Sequence, residues 1–290
     1  MQGILIVDKP SGFTSFDVIA KLRGICKTKK IGHSGTLDPM ATGVLPVFIG
    51  NAAKAVDMQL NHDKTYLATI LLGEKTDTGD ITGTVTDRAE VQVEESQFIK
   101  ALMGFVGAQK QLPPMYSAVK INGQPLYKAA RKGQEIERTP RDIIIHNIQY
   151  ISSPEKDRYT FSVCCSKGTY VRVLCEDIGA SLGVPATLYA LRRTAAGVYD
   201  EESAVGFDAI QKAKDEGNLE KLLLPVESCF MHLPLLEVDE LCKNRLLNGA
   251  LSHVTANDGE YRIRYSGAFL GLATVENGEL NVKKLFCERE

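Results

Sequence analysis

The sequence predicts an α+β fold: a mixed, largely antiparallel sheet in a large N-terminal body, followed by a small β-rich unit. Two observations predict it. Strand-like and helix-like runs interleave without the regular alternation of a doubly wound sheet. Past Pro234 the pattern changes to short strands around 260–265, 268–275 and 279–286, with Ser266-Gly267 and Asn277-Gly278 supplying the turns.

The elements follow in order. Residues 3–8 read as a buried strand, and Gly12 turns the chain into a helix that Ser15 is predicted to cap. The apolar side of that helix is predicted from Phe16, Ile19, Leu22 and Ile25. Glycine-rich turns bracket 33–43, an apolar run covers 44–49, and a helix is predicted near 52–60. Residues 65–72 read as a strand and 98–106 as a helix. Asn122-Gly123 is a type I′ turn signal. Two more strands are predicted at 143–151 and 158–165, and Ser166-Lys167-Gly168 turns into a helix near 171–182. Gly197 lies near the end of a further strand, and a short helix at 240–247 opens the tail.

Composition narrows the function classes. In 290 residues, 44% are hydrophobic and 24% charged, the balance of a soluble globular protein. No apolar run reaches the ~18 residues of a membrane span. The opening apolar run, Gly3 to Val7, is too short for a signal-peptide core. The seven cysteines form no Cys-x-x-Cys pair, so a cytoplasmic setting with reduced thiols is expected. Gly73-Glu74-Lys75-Thr76 lacks the glycine spacing of a phosphate-binding loop, and neither His-Glu-x-x-His nor Gly-x-Ser-x-Gly occurs. No metal or cofactor is expected.

The net charge of −2 conceals segregation. Lys21, Arg23, Lys27, Lys29 and Lys30 run without an intervening acid. A second basic stretch carries Lys110, Lys120, Lys128, Arg131, Lys132, Arg138 and Arg141 against Glu135 and Glu137 alone. Acids gather at 74–95 and 200–240. Such a split suits a protein with one basic face; charge by itself equally allows solvated helix surfaces.

The richest stretch is Gly32-His33-Ser34-Gly35-Thr36-Leu37-Asp38-Pro39-Met40-Ala41-Thr42-Gly43. Pro39 biases Asp38 toward an extended backbone, and the glycines allow sharp turns near a ligand. Composition alone favours reading Asp38 as an ordinary turn aspartate.

Asp8-Lys9-Pro10-Ser11-Gly12-Phe13-Thr14-Ser15 with Gly32 to Gly43 resembles the opening of the tRNA pseudouridine synthase B family. Lys64-Thr65-Tyr66, Leu112 through Lys120, Gly168-Thr169-Tyr170-Val171-Arg172 and Leu191-Arg192-Arg193-Thr194 match in order. The likeness spans nearly all of 1–200; Ser34 stands where many members have glycine. It implies a catalytic domain at 1–233 with an RNA-binding insertion at about 110–141, then a PUA-like RNA-binding domain at 234–290. It implies Asp38 as the catalytic aspartate, Tyr66 as the active-site tyrosine and Arg172 as the arginine paired with Asp38. Leu191 is implied to line the pocket and His33 to lie near displaced T-loop bases. Lys128, Arg131 and Lys132 are the insertion residues expected to grip the RNA backbone.

The implied activity is cofactor-free, guide-free isomerisation of uridine-55 in the T loop of tRNAs, by a monomer. Two other readings stand beside it: a guide-RNA-dependent catalytic subunit, which the long insertion disfavours, and a non-catalytic T-loop-binding module. The tail is expected to dock on the first domain, and its removal to weaken tRNA binding while leaving a folded synthase, provided the exposed docking surface does not cause aggregation.

Overall fold

The computed structural model describes residues 1–59, 62–117, 119–121, 123–130 and 132–287, the side chains of Lys120 and Pro125 aside. Arg131, and the Asn122 half of the predicted turn, therefore lie outside the described residues.

A nine-stranded sheet forms the core of the N-terminal body. Its main order is Gly3–Lys9, Thr42–Ile49, Ala186–Ala196, Lys64–Leu72, Arg158–Cys165, Arg141–Glu155 and Gly107–Gln111. Ile31–His33 and Tyr199–Asp200 pair at the side. Among the described residues its ladders are antiparallel except one, where Arg192 and Arg193 run parallel to Thr42 and Gly43. Gly3–Lys9 and Thr42–Ile49 are buried almost throughout, which explains their continuous apolar spelling. The mixed, mostly antiparallel α+β architecture read from the sequence is thus present.

Helices cover the sheet. Ser15–Cys26 packs Val18, Ile19, Leu22 and Ile25 into a cluster with Leu5, Val7 and Val47. Thr14, and not Ser15, caps this helix: its hydroxyl accepts from Asp17 N–H, while the Asp17 carboxylate accepts from Thr14 N–H. Phe16 leaves the apolar side and is exposed. Ser15, displaced by one position, turns its hydroxyl to the backbone of Leu37, accepting from Leu37 N–H at 2.9 Å. Residues 50–59 form a 3₁₀ helix. The next helix spans Glu95–Met103, earlier than predicted, because Gln97 reaches back to Glu94 N–H and starts it there. Its Phe98 stacks on Tyr159 of the sheet, ring centroids 4.2 Å apart.

Lys120–Ile121 and Gln124–Pro125 pair as a short hairpin, from which Leu126–Ala130 leaves as a single helical turn. After the helix Val171–Ser181 the chain re-enters the sheet, and a second sheet of five strands begins at Leu235.

That second sheet is not an independent appendage. Leu272 and Phe286 share a cluster with Ile4, Ile6 and Phe48 of the main sheet, and Phe230 packs on Phe269 and Phe286. Beside this contact the buried Glu227 accepts from Arg262 at 3.0 Å and from Arg264 at 2.6 Å. The tail docks on the first body as expected, and removing it would strip the partners from a buried carboxylate and expose these aromatics.

Candidate active site

Asp38 sits in the loop between Ile31–His33 and Thr42–Ile49, and four groups pin that loop. The fully buried Lys9 donates from Nζ to the carbonyls of Pro10, Phe13 and Pro39 at 2.9, 2.6 and 3.2 Å. Burial pulls the Lys9 ammonium down to about 8, against the opposing pull of Asp38. Gly12 N–H donates to Pro39 C=O at 2.8 Å, and Ser15 holds Leu37. Arg193 donates to Gly35 C=O at 3.0 Å and to Val44 C=O at 2.7 Å.

The glycines here have a steric cause. Gly43, at φ +99°, lies so close to the next strand that a Cβ would stand 2.2 Å from Arg193 O. Gly35, at φ +80°, would push a Cβ to 3.2 Å from the Arg193 guanidinium.

Arg172 enters from the first turn of Val171–Ser181. The turn before it is fixed by Gln111, whose amide donates to Tyr170 C=O and accepts from Tyr170 N–H. The guanidinium is buried. It meets both Asp38 oxygens, Nε to Oδ2 at 2.9 Å and Nη2 to Oδ1 at 3.3 Å, and donates to Thr78 C=O and Tyr116 C=O. Its Nε also lies 3.9 Å from Asp80.

Asp80 is a residue that sequence reasoning missed. It falls in the acidic stretch 74–95, where no residue was given a role, yet it is buried, and its Oδ1 accepts from Thr78, from Thr82 N–H and from the Thr82 hydroxyl. The signal for it was the spacing Thr78-Gly79-Asp80-Ile81-Thr82, two hydroxyls flanking a carboxylate in a turn. Arg193, also unassigned, is 1% exposed and lies opposite Tyr66 in the sheet register.

Burial raises the Asp38 carboxyl above its ordinary range; Arg172 opposes this and Asp80 reinforces it. Asp38 still presents about a third of its side chain, 35%, to solvent in the cleft. Tyr66 is buried, and burial pushes its hydroxyl further toward the neutral form, against the opposing pull of the Arg193 guanidinium.

Asp38, Tyr66, Arg172, Leu191 and Arg193 line one cleft of about 350 Å³. Tyr66 and Leu191 come from neighbouring strands in which Leu191 faces Ala68 and Arg193 faces Tyr66. His33 is half-buried and lies outside this cleft; burial and Arg193 keep it toward its neutral form. Lys128 and Lys132 are exposed and also lie outside it. The arrangement brings together an oriented carboxylate, an aromatic ring with a neutral hydroxyl, and an apolar wall. Among the described residues no group of three or more His, Cys, Asp or Glu is placed to hold a metal ion.

A half-buried carboxylate held by a two-pronged guanidinium beside a part-apolar slot defines an enzyme site for covalent or electrostatic work on a flat substrate. Residues 23–171 match the model of the TruB family pseudouridylate synthase N-terminal domain, and 172–231 that of the tRNA pseudouridylate synthase B C-terminal domain. The tRNA pseudouridine synthase B of Oceanobacillus iheyensis is 44% identical over 86% of this chain and 83% of its own length. That of Chromohalobacter salexigens is 41% identical over 98% of this chain and 94% of its own. A solved Cbf5-Nop10-Gar1 complex contains a chain matched with TM-score 0.75 at 26% identity, covering 98% of this chain and 85% of that one. The chain belongs to the TruB family of pseudouridylate synthases.

Proposed function

We propose that this chain is a stand-alone tRNA pseudouridine synthase that converts uridine-55 of the T loop, in the cytoplasm and without a guide RNA. The observation that carries the reading is the two-pronged Arg172–Asp38 pair inside the Tyr66–Leu191 cleft, in a chain of this family. Relatives named tRNA pseudouridine synthase B support the substrate class.

In this reading the uridine leaves its loop and enters the cleft, where Tyr66 and Leu191 hold the base. Ionised Asp38 attacks the substrate or stabilises charge on the sugar as the N1–C1′ bond breaks. The base turns and the C5–C1′ bond forms. C5 loses its proton, with the Tyr66 hydroxyl assigned to that transfer, and N1 gains one. Arg172 keeps Asp38 charged and aimed. The exposed Lys128 and Lys132, with Arg131, grip phosphates, and His33 meets displaced loop bases.

The test incubates purified protein with unmodified tRNA and no guide, then maps pseudouridine. Conversion at position 55 supports the proposal. Conversion only with an added guide supports the guide-dependent reading. Binding without conversion leaves an RNA-binding module.

A further inference from the structure

We propose that Ser117 is a base-recognition residue, its hydroxyl hydrogen-bonding the carbonyl and imide edge of the uracil held in the cleft. This rests on the function proposed above.

Ser117 lines the same cleft as Asp38, Tyr66 and Arg172 and is 5% exposed. Its Oγ is buried without a hydrogen-bond partner among the described residues. Buried hydroxyls are ordinarily satisfied, and leaving one unpaired costs stability, so an orphan in a cleft wall calls for a ligand. Its backbone, by contrast, is fixed on both sides. Tyr116 C=O accepts from Arg172 Nη2 at 2.7 Å, and Ser117 C=O accepts from Tyr127 N–H at 3.0 Å. Arg172 thus ties the strand of chain carrying Ser117 to the guanidinium that holds Asp38. A hydroxyl held in place with its capacity unspent is preorganised to bind.

The chemistry of uracil says what it binds. The base presents a carbonyl, an N–H and a second carbonyl along one edge. Isomerisation detaches N1 and attaches C5. Turning the ring about the N3–C6 axis makes that exchange and swaps O2 with O4, so the edge shows the same pattern before and after. A serine hydroxyl has one rotatable donor and two acceptor lone pairs, and it can serve this edge at either end of the reaction. Cytosine carries an amino group in place of one carbonyl and an acceptor at N3, which disrupts the pattern.

The experiment compares wild type and Ser117→Ala on synthetic T stem-loop RNA carrying uridine, 2-thiouridine or 4-thiouridine at the target position. Sulfur accepts hydrogen bonds poorly. Wild type should slow on at least one thio substrate in single turnover at saturating RNA. Ser117→Ala should be slower on uridine by about 5- to 10-fold, the scale of one net hydrogen bond, and should lose that thio penalty. Its melting temperature should hold or rise, since an unsatisfied buried hydroxyl has been removed. An unchanged rate, an equal thio penalty in both proteins, or a lowered melting temperature overturns the assignment. Failure of wild type itself to convert uridine would instead strike the proposed function.

Discussion

In the proposed reaction Asp38 carries two opposing demands: it lies partly buried, which disfavours its charge, yet must be ionised to act. Burial raises its pKa and Arg172 lowers it, with burial dominant. Removing Arg172 takes away the lowering influence and leaves Asp80 close by, so the carboxyl should move further up. Because the ionised form is the active one, activity then sets in only at higher pH. The acid limb of the single-turnover rate should therefore shift upward in Arg172→Ala, and an unshifted limb would mean that the pair does not govern the reaction. Asp38→Asn keeps the shape and deletes the nucleophile, so turnover should fall by several orders of magnitude with tRNA affinity little changed. Residual activity near ~10% of wild type would remove Asp38 from its role.

The basic segment of 110–141 divides at the scale of elements into parts with different duties. Tyr116 and Ser117 lock against Arg172 and the cleft, and Arg138 turns inward, donating to Pro113 C=O and pairing with Glu135. The exposed Lys128, within the helical turn Leu126–Ala130, and Lys132, just after it, are the residues proposed to meet phosphate. Every phosphate that the protein ceases to neutralise flattens the slope of log affinity against log salt by roughly 0.7–0.9. Replacing Lys128, Arg131 and Lys132 by alanine should flatten it by about two units, with rate at saturating tRNA better preserved than affinity. Binding titrations at several salt concentrations check this; an unchanged slope would make the run a solvated face and move the grip to Lys21–Lys30.

The two sheets are held together across the whole molecule by an aromatic cluster and by one buried carboxylate shared between two arginines. Removing the shared carboxylate is worse than never having built the cluster, because the Arg262 charge stays buried. Glu227→Ala should lower unfolding stability by about 3 kcal/mol or more, read from the denaturant midpoint. A loss within about 0.5 kcal/mol would show that the apolar contact alone holds the units. Truncation after residue 233 should destabilise the remainder for the same reason. Weaker RNA affinity in a truncated protein therefore has to be separated from loss of fold.

What the sequence by itself determined is local. Turn chemistry located the Asp38 loop, apolar runs located most strands, and the Ser166-Lys167-Gly168 turn led into the Val171–Ser181 helix that carries Arg172. The short-range errors were short-range in cause: the cap fell on Thr14 because Asp17 completes a reciprocal pair there, and one helix began earlier because Gln97 reaches Glu94. Tertiary structure decided everything that joins distant residues. Asp38 and Arg172 meet across 134 positions, and sheet register sets Arg193 opposite Tyr66 and beside Gly43. Asp80 was one acid among many in 74–95, and only the fold buries it beside the same arginine. The physical reason is that propensities and turns act over a few residues, whereas burial, charge pairing and strand register exist only once the sheet has closed around them.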